Sequence, residues 1–164
     1  MTASPSPRHG TIVSDAPFFE QTTHQCGPAA LASVINYWSA RTASLGTVSP
    51  EEIAATVYSP SARGTLGIDL VAHARRLGFA ARSYSGSIED IRNHIENGVP
   101  LILLVDVGPS VYQINHFMVV VGYADEGIIV HSGRRQAVYM NAKRLERIWQ
   151  RTGYWTLVIE PPRS

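Results

Sequence analysis

Chemistry in this chain would start from its single cysteine. Cys26 sits in the stretch Gln21 to Tyr37, which reads Gln-Thr-Thr-His-Gln-Cys-Gly-Pro-Ala-Ala-Leu-Ala-Ser-Val-Ile-Asn-Tyr. Pro28 suits the first turn of a helix, where a backbone N–H is dispensable. Leu31, Val34, Ile35 and Trp38 then recur at the spacing of one apolar helix face. The pattern predicts a helix from Cys26 to about Ser39 with the thiol at its N-terminus. The partial positive charge there favours thiolate over thiol, and a thiolate is a nucleophile. The competing reading is a small buried hydrophobe, the ordinary condition of a free cysteine.

A thiol nucleophile needs a base, and the chain has six histidines: His9, His24, His73, His94, His116 and His131. His9 falls in a polar lead-in. His73 and His94 fall on predicted helices and are expected to face solvent. His116 opens the apolar run His-Phe-Met-Val-Val-Val-Gly-Tyr after the Gly108–Asn115 loop, so a strand could hold its ring at the mouth of a cleft. A satisfied histidine at a strand end is the plainer alternative. A Cys–His pair of this kind is close in space and distant in sequence. Zinc held by Cys26, His24, His116 and His131 is a weak alternative. The chain has neither a Cys-x-x-Cys nor a His-x-x-x-His pair, so no metal and no cofactor is expected.

The elements that must position these groups follow from periodicity and punctuation. Pro50-Glu51-Glu52 starts a short helix, and Tyr58 to Gly67 reads as a loop. A helix from about Ile68 to Leu77 presents Leu70, Val71, Ala74 and Leu77 on one face and ends at Gly78. Phe79–Ser83 is a strand. Ser87 caps a helix that turns Ile88, Ile91 and Ile95 inward. Pro100–Asp106, His116–Tyr123, Gly127–His131 and Gln136–Met140 are strands, with a turn at Asp125-Glu126-Gly127. Asn141 caps a helix burying Leu145, Ile148 and Trp149, and Tyr154–Glu160 closes the sheet. Helices first and an antiparallel sheet second indicate an α+β fold. Residues 1–15 read as a flexible lead-in and 16–164 as a single domain.

Composition narrows the function classes. With 164 residues, 45% hydrophobic and 16% charged, the chain can bury a core. A net charge of +1 without basic or acidic runs points to neither nucleic acid nor an anionic membrane. One cysteine excludes an internal disulfide, and no apolar run is long enough to span a bilayer. Residues 1–20 lack a signal-peptide core, so the chain as given is expected to be cytoplasmic. A trimmed form of an exported or periplasmic protein would read the same.

Gln-x-x-x-x-Cys-Gly-Pro-Ala-Ala-Leu followed by His-x-x-Val-Val-x-Gly-Tyr resembles the papain-like cysteine peptidases of the bacteriocin-processing, double-glycine-leader family, above all its standalone bacterial members. The likeness runs from about Pro17 to Pro162 and includes Tyr154-Trp155 before the last strand. It implies a papain-like fold, with N-terminal helices on a C-terminal antiparallel sheet. It implies Cys26 as nucleophile and His116 as general base, with Gln21 and the backbone N–H of Cys26 as oxyanion donors. Two positions depart from the pattern. The family's glutamine usually lies six residues before the cysteine, whereas Gln21 lies five before and Glu20 holds the sixth place. A carboxylate is acceptor-only, so Gln21 is preferred, with Gln25 the weaker substitute. The family also places Asp or Asn after the next hairpin strand to orient the histidine. Here Ile129-Val130-His131-Ser132-Gly133 offers Ser132, or a neutral His131, as the acceptor, and Ser132 reads equally well as a turn residue. The implied function is a cysteine peptidase acting on a peptide or protein, with cleavage after small residues as in the double-glycine relatives. An acyl or amide transferase on the same Cys–His machinery and a catalytically silent peptide-binding module are the alternatives. Oligomeric state is not fixed by the sequence.

Overall fold

The stretch after Cys26 forms helix α1 (Cys26–Ser39), and protein surrounds it on nearly every side. The computed structural model describes residues 12, 15–20, 25–42, 45–59 and 64–162. Gln21, His24, His9 and most of the lead-in therefore lie outside the described residues. In α1 every residue from Gly27 to Ile35 is buried, not only one face. The reason is local: Ala29, Ala30, Ala32 and Ser33 are small enough for other elements to approach closely. Helices α2 (Pro50–Val57) and α3 (Gly67–Arg76) pack on α1, and the central sheet packs on it as well. Leu31 and Ile35 are essentially inaccessible, a burial that stabilises by about 1.5–3 kcal/mol each. Trp38 is only half-buried and donates its indole N–H to the Ile159 carbonyl at 2.8 Å.

The predicted loop from Tyr58 to Gly67 contains a small hairpin. Strand β1 (Tyr58–Ser59) pairs antiparallel with β2 (Gly64–Thr65). Two-residue strands are too short to show an alternating pattern in sequence. Helix α3 begins at Gly67 and buries Leu70, Val71 and Ala74. Leu77 lies just past its end and is 40% exposed, so it does not belong to the buried face. Gly78 there takes φ +95°, a left-handed conformation that suits glycine.

The remaining elements are β3 (Ala80–Ser85), α4 (Ile88–Glu96), β4 (Leu101–Asp106), β5 (Asn115–Ala124), β6 (Gly127–Ser132), β7 (Arg135–Asn141), α5 (Ala142–Gln150) and β8 (Trp155–Glu160). The helix starts are capped as the sequence predicts. Ser87 Oγ accepts the Asp90 N–H at 3.0 Å, and Asn141 Oδ1 accepts the Lys143 N–H at 2.8 Å.

The strands form one six-stranded antiparallel sheet in the order β3-β8-β4-β5-β6-β7. The α+β class holds. The last strand, however, does not close an edge: β8 is inserted between β3 and β4, and Leu157, Val158 and Ile159 are buried there. A run of consecutive apolar residues marks an interior strand, but sequence order does not name its neighbours. His73 and His94 are half-buried rather than solvent-facing. His94 Nδ1 lies 2.9 Å from the Asp90 carbonyl oxygen, and its ring lies beside that of Tyr84. No helix among the described residues is long and apolar enough to cross a membrane.

Candidate active site

Helix α1 starts without a side-chain cap: Gln25 precedes it and makes no capping bond. Its first N–H groups are thus open to another acceptor, and the Cys26 sulfur takes that place. The backbone N–H groups of Phe117 on β5, of Gly27 and of Cys26 itself lie near enough to favour its charged form. The thiol therefore lies against the backbone of the residue that follows His116. Gly27 makes this approach possible. A Cβ there would stand 3.0 Å from Thr65 Cβ and 3.4 Å from the Phe117 ring.

These donors favour the thiolate, but burial opposes them and is the larger effect, so the Cys26 pKa is raised. The thiolate expected from the helix terminus alone is thus corrected: at neutral pH the resting group is a protonated thiol. His116 moves the other way. Burial lowers its pKa, so the imidazole is neutral at rest.

His116 is the second residue of β5, opposite Val105 of β4. Its Nε2 lies 2.9 Å from Ser132 Oγ on β6. The β5–β6 register sets His131 opposite Val119. Alternation along the strand then brings Ser132 to the side of His116. Of the two acceptors considered from sequence, the structure brings Ser132 to the ring and takes His131 away from it. His131 is buried, with Nε2 2.9 Å from the Ala16 carbonyl oxygen and Nδ1 accepting the Ala137 N–H at 3.0 Å. Both of its nitrogens are occupied by backbone. Gln21 lies outside the described residues, and Gln25 is half-buried just before α1.

The loop that leads into His116 is fastened by a residue the sequence reading passed over. The buried Asp106 carboxylate accepts the N–H groups of Gly108 at 3.0 Å and Ile114 at 2.9 Å. Those two bonds hold its pKa below the usual carboxylate value. Gly108 sits so tightly in the loop that a Cβ would lie 1.9 Å from the Tyr112 carbonyl oxygen. Arg151, just past α5, donates to the Gly108 carbonyl at 2.7 Å from outside the loop. The signal was present in Val-Asp106-Val-Gly108-Pro, since an aspartate two residues before a glycine marks an Asx-type turn. Thr65, beside Gly27, is the other residue missed. Its hydroxyl oxygen is buried without a hydrogen-bond partner among the described residues, and no sequence signal announces that. Among the described residues no three potential metal ligands cluster.

The geometry can be set beside known proteins. The model of the Peptidase_C39 like family matches residues 13–156. No curated protein matches the chain. Among solved structures, the peptidase domain of Streptococcus ComA, a bi-functional ABC transporter of a quorum-sensing pathway, superposes with a TM-score of 0.72. It is 23% identical, with 89% of this chain and 98% of that one covered. A protein from Bacillus anthracis described as a C39-like peptidase gives 0.73 at 16% identity, covering 95% and 100%. A double-glycine-motif protease from an AMS/PCAT transporter, solved with its leader peptide, gives 0.68 at 20% identity, covering 94% and 99%. These similarities show the papain-like fold. With the family model covering nearly the whole domain, the chain belongs to the Peptidase_C39 like family.

Proposed function

We propose that the protein is a cysteine peptidase in which Cys26 is the nucleophile, His116 the general base and Ser132 the group that orients His116, all within a single domain of residues 16–164. One observation carries this reading. The Cys26 sulfur lies near the N–H of Phe117, next to His116, while His116 Nε2 is engaged by Ser132 Oγ at 2.9 Å. That leaves Nδ1 for the thiol proton.

Because both groups are neutral at rest, the thiol is activated when substrate arrives. His116 Nδ1 takes the proton as sulfur bonds to the carbonyl carbon. The oxyanion that forms is met by the Cys26 N–H and, in this reading, by the Gln21 side chain. Collapse expels the amine, which takes the proton from His116 and leaves a thioester. Water, deprotonated by the same ring, hydrolyses it. Ser132 is an uncharged partner, so it stabilises the imidazolium less than a carboxylate would and makes a slow enzyme. The leader peptide bound to one similar structure supports a peptide substrate.

Incubation with a peptide library and mass spectrometry tests the reading. Cys26→Ala should abolish cleavage and leave the melting temperature nearly unchanged; full activity in that variant would remove Cys26 from the mechanism. Gln21→Ala should lower kcat by about 10²–10³-fold, the usual loss of an oxyanion donor, with little change in KM. An effect on KM alone would take Gln21 out of the oxyanion site. Excess amine in the same incubation distinguishes transfer from hydrolysis by product mass.

A further inference from the structure

One buried titratable side chain takes no part in the proposed chemistry yet touches both halves of the site. His131 is 5% exposed. Ala137 donates its N–H to Nδ1, so Nδ1 carries no proton and Nε2 must donate to the Ala16 carbonyl. The hydrogen bonds thus fix a single neutral tautomer. The Ala16 contact joins positions 115 residues apart in sequence. The segment it holds, Ala16–Glu20, runs towards Cys26. Ser33 of α1 donates to the Pro17 carbonyl at 2.5 Å, and the Phe18 ring meets the His131 ring edge-on at 5.5 Å. On the other side, the next residue along β6 is Ser132, which engages His116. Ala137 takes φ +50°, a conformation that costs a non-glycine residue about 1–2 kcal/mol and that the bond to His131 helps to hold.

We propose that His131 is a positioning residue: its neutral ring pins the approach to Cys26 onto the strand that carries Ser132, and protonation releases that join. The role rests on the cysteine-peptidase reading for its effect on turnover, but not for the join itself. A second proton on the ring would sit on Nδ1, facing the Ala137 N–H, where two donors cannot bond. The charged groups on the adjoining segments are Asp15, Glu20, Arg134 and Arg135, all exposed, and Asp15 is paired with Arg41, just past α1, at 2.6 Å. Arg134 and Glu20 do span the same two segments, at 3.8 Å, but an exposed pair of that length contributes little. On β5 the titratable neighbour is His116, which is engaged by Ser132 rather than by His131. On α1, Ser33 is uncharged and Cys26 is a thiol at rest. Burial and the Ala137 N–H disfavour the second proton and the Ala16 carbonyl favours it; burial, which lowers the proton affinity, prevails.

Glutamine separates the tether from the titration, because its carboxamide offers both an N–H donor group and a carbonyl acceptor and does not ionise. Leucine fills space and offers neither. Hydrogen–deuterium exchange of the full chain, read on peptides covering residues 12–20, needs no substrate. At pH 7.5 His131→Leu should exchange there about tenfold faster than the wild type, the equivalent of one lost hydrogen bond of about 1.4 kcal/mol. His131→Gln should stay within about threefold at that pH, less than one such bond. Lowering the pH from 7.5 to 5 should speed this segment in the wild type relative to His131→Gln measured at each pH. Turnover should follow: kcat falls in His131→Leu with KM little changed, His131→Gln restores it, and the acid limb of its pH profile moves down. Equal exchange in all three proteins, or a wild type and His131→Gln with the same pH dependence, overturns the proposal. Should His131→Leu fail to fold, His131→Gln alone decides through its pH dependence. If exchange behaves as expected while no peptide is cleaved, the join stands and the peptidase reading falls.

Discussion

Two irregular segments lead to the two groups of the proposed Cys26–His116 pair, and they are fastened by opposite chemistry. Val107–Ile114 runs into His116 and is closed by a buried carboxylate, with Arg151 bracing it from outside. Ala16–Glu20 runs towards Cys26 and is held by a neutral imidazole and a serine hydroxyl. The carboxylate accepts its two N–H groups most strongly when charged, whereas the imidazole must be uncharged to make both of its bonds. Asp106 has a lowered pKa, so its stabilisation is whole above the ordinary carboxylate value and is lost only as the pH falls through its own lower one. His131 also has a lowered pKa, but it is neutral in the fold. Its unfolded form binds more protons below 6.5, so its contribution starts to fall there and is gone below its folded value. The difference teaches that the halves of one site need not share a pH tolerance. On acidification the His131 tether on the Ala16–Glu20 segment starts to weaken before the Asp106 clasp on the Val107–Ile114 loop does.

The comparison breaks most severely at Gly108. Gly108→Ala drives a methyl group into the Tyr112 carbonyl and should unfold the His116 loop, with loss of activity and a drop of about 1–3 kcal/mol or more in unfolding free energy by urea titration. A wild-type midpoint would mean the loop is not closed in this way. Asp106→Ala comes next. Two buried N–H groups lose their acceptor, at about 1–3 kcal/mol each. Asp106→Asn, which keeps one oxygen, should cost about 1 kcal/mol and remove the acid-side step in stability assigned to this residue. Equal losses for both variants would show that the carboxylate charge, rather than its oxygen, closes the loop. Ser132 gives the smallest effect. Ser132→Ala should reduce kcat by a few-fold, about 1 kcal/mol of barrier, with stability nearly constant. Ser132→Asp should raise the pKa of His116 and move the acid limb of kcat/KM upward. Unchanged kcat in Ser132→Ala would demote this bond to packing.

Much of the architecture was legible in the residues. Cys26–Ser39 and the capped starts at Ser87 and Asn141 follow from local rules, and the structure repeats them to within a residue or two. What could not be read depends on pairing across distance. The Tyr58–Thr65 hairpin is too short to leave a periodic trace, and the place of β8 inside the sheet is a question of neighbours. The site divided in the same way. Cys26 and His116 were visible by type and setting, and Ser132 was visible as a candidate. The structure then turned His131 from an acceptor for His116 into a link to Ala16, because strand parity sends adjacent side chains to opposite sides. The balance at the thiol was also hidden. A helix terminus is written in sequence, but the depth of burial that outweighs it is not.

The placement of β8 has a consequence for the order of events during synthesis. Residues 155–160 are made after every other strand, yet they fill the slot between β3 and β4. Until they emerge from the ribosome, β4 keeps an open edge behind the strand that bears His116, a row of unpaired backbone groups ready to pair with another chain. Cys26 and His116 are thus translated before the strand that completes the sheet behind them.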